Sequence, residues 1–316
     1  MSTGLIPAID LGGTFIKGGL VGPGARIGSR LSARTLAEQG HRAVTGRIAA
    51  MARELAAAAT SSGGAPPTAV GLVVPGLVDD ERGVAIKAAN LDWSDYPICQ
   101  VLTDMIGLPV RLGHDVAAGA LAEYRYGAAA GARVALVVPI GTGLAAGLIH
   151  GGQPYRGSHG RTVELGHLRL AWSREPCGCG GTGCVERVAS ASAIARRYAE
   201  AVAAGPGRAG PGGGAADAKA VLALAAGGDP AARRVWADAV RALADGLITL
   251  MTVLDPDRIV LAGGLSQAGE SLLGPLRQAL AERLTFQIAP ELVRAQLGVD
   301  AGLVGAAITA GLPWEP

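Results

Sequence analysis

Twice along this chain an apolar run stops at a turn of glycine and threonine, then resumes as a second apolar run. In the first, residues 5–9 lead into Asp10-Leu-Gly-Gly-Thr14 and out through 15–21. In the second, residues 134–140 lead into Gly141-Thr-Gly143 and out through 144–149. Each reads as strand, glycine turn, strand. The copies stand much further apart than the period of a solenoid repeat. They predict one α/β domain present twice, with a phosphate-sized turn in each copy.

Elsewhere strands alternate with helices. Apolar spacing predicts helices over 35–59, 98–106, 116–126, 192–203, 217–226 and 230–254, with further helices to the end, and strands over 70–74, 110–112 and 258–262. The Ser-Ser-Gly-Gly-Ala-Pro-Pro breaker at 61–67 ends the first helix, and the Gly/Pro-rich stretch 205–214 predicts a mobile surface loop. The expected architecture is mixed sheets covered by helices, in two halves with a cleft between them and ligand loops at strand ends.

Composition removes several function classes. With 49% hydrophobic and 17% charged residues, 316 residues form a substantial core, not a disordered chain. The net charge is +2 with the signs interspersed, and only 3% of residues are aromatic, so neither a basic stripe nor stacking platforms for nucleic acid are expected. No apolar run is long enough to cross a bilayer, and the N-terminus lacks a basic start and apolar stretch. The expected location is the cytoplasm, with no membrane partner.

The chemistry-bearing residues fall in clusters. Gly12 and Gly13 allow close approach of the backbone to an anion, Thr14 offers a hydroxyl, Asp10 can hold Mg²⁺ through water, and Lys17 can meet phosphate charge. An ordinary hairpin turn is the alternative. Gly141, Thr142 and Gly143 form a second such turn, and Gly263-Gly264 after a late strand a third, as a nucleotide needs separate contacts for phosphates and adenosine. Neither a Walker A motif nor a dinucleotide-binding G-x-G-x-x-G follows the first strand. Cys177, Cys179 and Cys184 lie within eight residues separated mostly by glycine, with His167 ten residues before them. Three thiolates and one imidazole suit a closed tetrahedral, structural Zn²⁺. Unliganded thiols in a surface loop are the alternative. Asp115 stands between a predicted strand and a helix, where a carboxylate can take a proton from an alcohol or simply cap the helix. Glu164 and Glu186 flank the cysteine segment as candidates to hold ligand hydroxyls, or as ordinary surface charges.

In chain order, Asp10-x-Gly-Gly-Thr14, Val74-Pro-Gly-Leu-Val-Asp79, Ala89-Asn-Leu91, Asp115, Gly141-Thr-Gly143, Glu164-Leu-Gly-His167, Cys177-x-Cys-Gly-x-x-Gly-Cys-x-Glu186 and Asp300-Ala-Gly-Leu-Val-Gly-Ala-Ala307 occur together. The chain resembles the ROK family of bacterial sugar kinases and repressors, over nearly its whole length. The resemblance implies an actin/hexokinase-type fold of two ribonuclease-H-like domains closing on a sugar, here divided as 1–115 plus 302–316 and 116–301. It implies Asp115 as general base, and Asn90, His114, Glu164, His167 and Glu186 at sugar hydroxyls. The Asp10 and Gly141 turns would hold ATP phosphates and Mg²⁺, and zinc on His167, Cys177, Cys179 and Cys184 would orient the sugar loop. A homodimer or homotetramer is the family's usual assembly.

Three departures bear on the substrate. His114 stands where Asn is usual, Val163 where Gly is common before the Glu-x-Gly-His motif, and Ala145 and Ala146 place methyl groups after the second turn. Glucokinase-like phosphorylation of a primary hydroxyl is the leading expectation. An amino sugar of the kanosamine type, or a C7-cyclitol, is the alternative that His114 suggests. Polyphosphate is a further possible donor. A sugar-sensing repressor would need a helix-turn-helix ahead of the kinase-like part, and with Asp10 already in the first turn none is expected. A non-catalytic sugar binder, suggested by Ala145 and Ala146, is disfavoured by Asp115 and the complete first turn.

Overall fold

The computed structural model describes residues 4–61, 63, 65–88, 91, 93–204 and 217–314, so Asn90 and the stretch 205–214 lie outside the described residues. The chain forms two compact units. The first holds residues 1–131, 152–162 and 296–316, and the second 132–151 and 163–295.

In the first unit, β1 (Ile6–Leu11), β2 (Phe15–Gly22) and β3 (Arg26–Arg34) form an antiparallel meander. β4 (Val70–Val74) and β8 (Val110–His114) then run parallel to β1, giving the order β3-β2-β1-β4-β8. β4 is buried at all five positions, as a parallel strand covered on both faces must be. α1 (His41–Ser61) turns Val44, Ile48, Met51, Ala52, Leu55 and Ala59 onto one side of the sheet, the spacing of an amphipathic helix. α3 (Asp115–Tyr126) and α9 (Ala301–Thr309) pack on each other, and their small residues Ala118, Ala122, Ala306 and Ala307 join a core with Ala8 and Val73. A small antiparallel sheet of β5 (Leu77–Asp79), β6 (Val84–Ala88) and β7 (Trp93–Tyr96), then α2 (Ile98–Ile106), complete the unit with β11 (Gln153–Tyr155), which lies against α3.

In the second unit β10 (Gly147–His150) pairs antiparallel with β9 (Val134–Pro139). β12 (Arg258–Ala262) runs parallel to β9, and β13 (Glu291–Arg294) parallel to β12. The order β10-β9-β12-β13 repeats β2-β1-β4-β8 in sequence and direction, so the duplication read from the two glycine turns is present in the topology. α7 (Pro230–Leu254) supplies the largest share of the core through Val235, Trp236, Val240, Leu243, Leu247 and Met251. Around it lie α4 (Glu186–Ala189), α5 (Ala191–Ala203), α6 (Ala218–Ala226) and α8 (Glu270–Ala281).

The differences from expectation have local causes. β3 reads as Arg-Ile-Gly-Ser-Arg-Leu-Ser-Ala-Arg and has no fully buried residue, so its edge position leaves little apolar alternation to detect. The first helix starts at residue 41 instead of 35, because Leu36 and Gly40 both take positive φ, 48° and 82°, and a short 3₁₀ turn fills the gap. β5, β7 and β13, of three or four residues, are too short for a periodic signal. Helix α3 belongs with the first unit because it packs along α9.

One buried carboxylate fastens α3 there. Glu123 is fully enclosed and accepts N–H groups from Ala128 (2.9 Å), Gln296 (3.1 Å) and Leu297 (2.8 Å). Glu123→Ala removes the shared acceptor of three part-buried backbone N–H groups and is expected to cost about 2–4 kcal/mol. Chemical denaturation of the two proteins measures it, with Glu123→Gln expected to cost less because it keeps an acceptor.

Candidate active site

The first unit assembles its site at the ends of β1 and β8. Asp10 sits opposite Lys17 across the β1–β2 hairpin, and Lys17 Nζ lies 3.9 Å from Asp10 Oδ2. The N-terminal turn of α9 closes over the same carboxylate. A Cβ on Gly302 would stand 2.5 Å from Asp10 Oδ2, so only glycine fits. Burial raises the Asp10 pKa to about 6, with Lys17 opposing and the neighbouring Asp115 adding to the rise. In the turn itself Gly12 N–H donates to the Phe15 carbonyl (2.9 Å), while the Thr35 hydroxyl donates to the Gly12 carbonyl (2.6 Å). Gly13 and Thr14 are left exposed at its tip.

β8 ends at His114 and α3 begins at Asp115. The helix cap is His114, not Asp115: its Nδ1 accepts the Ala117 N–H at 3.4 Å. Asp115 occupies the first helical position, with Oδ1 accepting the Val116 N–H at 2.7 Å and lying 3.4 Å from His114 Nε2. A third of its side chain remains open. Burial by the surrounding protein lifts its pKa to about 6, against the opposing hydrogen bond from Val116. The first unit therefore brings Asp10, Lys17, His114 and Asp115 together beside the Gly12–Thr14 turn.

The second unit gathers the remaining described residues. Gly141 N–H donates to the Gly143 carbonyl (2.9 Å), and Ala191 N–H, at the start of α5, donates to the Gly141 carbonyl (2.8 Å). Gly263 follows β12 at φ 76° and lies against Ile140, where any Cβ would fall 2.5 Å from the Ile140 oxygen. This contact puts the Gly263-Gly264 turn beside Gly141–Gly143. Glu186 Oε2 accepts the Leu144 N–H at 2.9 Å, so it braces the turn as well as facing the Glu164–His167 segment through its contact with Gly166. The Ala146 methyl is buried in the core of the unit.

Val163 takes φ 59°, a left-handed conformation that a β-branched residue rarely adopts. Here a glycine would be unstrained, and the strained residue stands immediately before Glu164. Glu164 itself is exposed and precedes the 3₁₀ turn Leu165–His167.

The four proposed metal ligands converge. One donor atom from each of His167, Cys177, Cys179 and Cys184 lies within 4.8 Å of the others. Cys177 Sγ is 3.8 Å from His167 Nδ1, and Cys179 Sγ is 3.7 Å from Cys184 Sγ. A tetrahedral zinc with Zn–S bonds of about 2.3 Å places its sulfurs about 3.8 Å apart. The donor set and its spacing fit that ion. Burial, reinforced by Cys177 and Cys179, pushes the Cys184 thiol up to about 12, an environment that a divalent cation would reverse.

A second device, absent from the sequence reading, holds the same loop. Glu175 accepts Arg197 Nε at 2.9 Å and a short bond from Arg196, both on α5. Arg197 continues to Asp238 on α7 at 3.0 Å, and Arg196 also donates to the Arg187 carbonyl beside Glu186 at 2.9 Å. The adjacent arginines belong to no sequence motif, and only the tertiary contacts reveal their role.

The ROK family model matches residues 6–311. The chain belongs to the ROK family. It is 32% identical to a glucokinase of Streptomyces coelicolor over 98% of each chain. It is 30% identical to an N-acetylmannosamine kinase of Escherichia fergusonii over 96% of this chain and 97% of that one. A ROK family glucokinase from Streptomyces griseus, solved in complex with glucose and AMPPNP, superposes with a TM-score of 0.82 at 34% identity, covering 96% of this chain and 98% of that one. The duplicated sheets are thus those of the actin/hexokinase-type fold of ROK hexokinases and glucokinases. Among the described residues no helix is long and apolar enough to cross a membrane.

The raised carboxylates set a pH-dependent stability. A carboxyl whose pKa is higher in the folded than in the unfolded state favours folding below the unfolded pKa of 3.8, and that favour is lost as pH rises through about 6. Asp115→Asn removes the ionised form altogether. Its Tm is expected to exceed that of the unaltered protein at pH 8 and to match it at pH 4, as scanning calorimetry at the two pH values will show.

Proposed function

We propose that this ROK protein is an ATP-dependent sugar kinase that phosphorylates the primary hydroxyl of a hexose, in the manner of a glucokinase. The observation that carries the reading is Asp115: a partly desolvated carboxylate at a strand–helix junction, with Oδ1 held by a backbone N–H and Asp10 beside it. An alcohol is a poor nucleophile at neutral pH. A carboxylate in hydrogen-bond reach takes its proton as the new O–P bond forms and the bond from the γ-phosphorus to the ADP oxygen breaks. Asp115 is that base. Asp10, through water, is assigned to Mg²⁺, and Thr14, Lys17, Gly141–Gly143 and Gly263-Gly264 to the nucleotide and its phosphates. Glu164, Glu186 and His167 are assigned to sugar hydroxyls, as is Asn90 in the stretch outside the described residues.

His167, Cys177, Cys179 and Cys184 would hold zinc. Bound there, the ion supplies a fixed scaffold and no open coordination position, since all four places are filled by protein. With Nδ1 toward the thiols, the His167 Nε2 is left to donate outward to a ligand. Elemental analysis is expected to find about one zinc per chain. Purified protein without zinc removes this part of the reading.

A second reading, an amino sugar as substrate, is favoured by the similarity to an N-acetylmannosamine kinase and by His114 in place of the usual Asn. A coupled assay with ATP·Mg²⁺ across glucose, mannose, N-acetylmannosamine, kanosamine and a C7-cyclitol separates the two. Polyphosphate is run alongside as donor. Glucose is expected to give the highest kcat/KM. Asp115→Asn is expected to lower kcat by about 10²–10⁴-fold, and kcat is expected to fall as pH drops through about 6, where Asp115 becomes protonated. Equal turnover by Asp115→Asn would remove the base.

A further inference from the structure

The strand–helix junction contains a side chain that neither ATP nor a sugar hydroxyl is needed to explain. His114 is the last residue of β8, and its ring lies between the start of α3 and the Asp115 carboxylate. Nδ1 accepts the Ala117 N–H, which is possible only when that nitrogen carries a lone pair. In a neutral imidazole the proton then sits on Nε2, and Nε2 is the nitrogen 3.4 Å from Asp115 Oδ1. The pair is a close approach and not a formed hydrogen bond here, and catalytic contacts commonly tighten only when substrate binds. The Val116 N–H reaches the same oxygen at 2.7 Å. The Val116 hydrogen bond and the His114 Nε2 approach thus involve the same oxygen, Oδ1.

We propose that His114 is a positioning residue for the general base: by capping α3 through Nδ1 it fixes its own Nε2–H tautomer, and that N–H holds Oδ1 of Asp115 so that Oδ2 meets the substrate hydroxyl. The inference rests on Asp115 as base and assigns His114 a role apart from sugar recognition. Its physical need comes from the neighbourhood. Asp10 on β1 is a like charge facing Asp115, and Lys17 on β2 is the cation, 3.9 Å from Asp10. The backbone N–H groups of Val116 and of Asp115 itself favour the ionised carboxylate, and the His114 Nε2, 3.4 Å from Oδ1, is a side-chain nitrogen placed to add to them. The helix cap thus sets the protonation pattern of the catalytic carboxylate.

The test compares the unaltered protein with His114→Ser and His114→Asn. Serine and asparagine are both good helix caps, so stability should hold, but serine has no N–H that reaches Asp115. The carboxyl carbons of ¹³C-aspartate-labelled protein, free of substrate, are titrated by NMR, with Asp115→Asn and Asp10→Asn used for assignment. In His114→Ser the Asp115 midpoint is expected to rise by about one pH unit, and the acid limb of kcat, measured with glucose and ATP·Mg²⁺, to move to higher pH by the same amount. His114→Asn, which regains an amide N–H, is expected to return part of the shift. An unchanged midpoint in His114→Ser, with KM for glucose alone altered, overturns the proposal and leaves His114 a sugar ligand. Should the serine variant fail to fold, the ¹⁵N spectrum of His114 in the unaltered protein at pH 8 decides: Nε2–H supports the proposal, and Nδ1–H overturns it. Retained turnover in Asp115→Asn would defeat the base assignment instead, whatever the titrations show.

Discussion

Two carboxylates, Asp10 and Asp115, share a neighbourhood in which burial raises the cost of ionising each, and the Asp115 charge adds to that cost at Asp10. Everything around them in the first unit serves to hold that arrangement at fixed geometry. Asp10 lies in the strand that pairs with both β2 and β4, Lys17 faces it across the hairpin, and the α9 backbone presses on it at Gly302. Asp115 begins α3, where the N–H groups of the helix's first turn favour negative charge. The far end of α3 is fixed by Glu123, so the helix that carries Asp115 is anchored at both ends. Like charges placed this way lower stability at neutral pH, and a fold retains such a cost where the charge is used.

The second unit solves a different problem. A loop with glycine at four of the eight positions from Cys177 to Cys184 loses much conformational entropy on folding and has little side chain with which to pack. The structure answers with converging donors from His167 and the three cysteines, and with the Glu175–Arg196–Arg197–Asp238 chain that ties the loop root to α5 and α7. Because Arg196 also reaches the Arg187 carbonyl, the tether extends to the short helix bearing Glu186, whose carboxylate in turn braces the turn at Leu144. Thiol cluster, hydroxyl-binding candidates and glycine turn form one continuous bonded path in this unit.

Much of this was legible in the sequence, for reasons that can be named. The two glycine turns announced a duplication because a buried strand leaves an uninterrupted apolar run, and both copies of the sheet proved to share one topology. The cysteine spacing announced convergence, since three thiols within eight residues can hardly avoid meeting. The edge strand β3 was invisible because half-exposed residues carry no alternation. His114 was readable only as a departure from the usual Asn, since its capping bond and its approach to Asp115 depend on the angle at which β8 enters α3. Glu123, Glu175 and Arg197 were unreadable as partners because each is joined to residues far away in sequence. Val163 stands out in the sequence as a missing glycine, but its positive φ is a property of the backbone.

Asp115 is proposed to take the proton of the hydroxyl that is phosphorylated. A crystal structure of this protein with glucose and AMPPNP tests it most directly. The primary hydroxyl oxygen is expected at about 2.6–3.2 Å from Asp115 Oδ2, with Oδ1 still on the Val116 N–H. A sugar bound with every hydroxyl beyond hydrogen-bond reach of Asp115, or with its primary hydroxyl on another carboxylate, would contradict it.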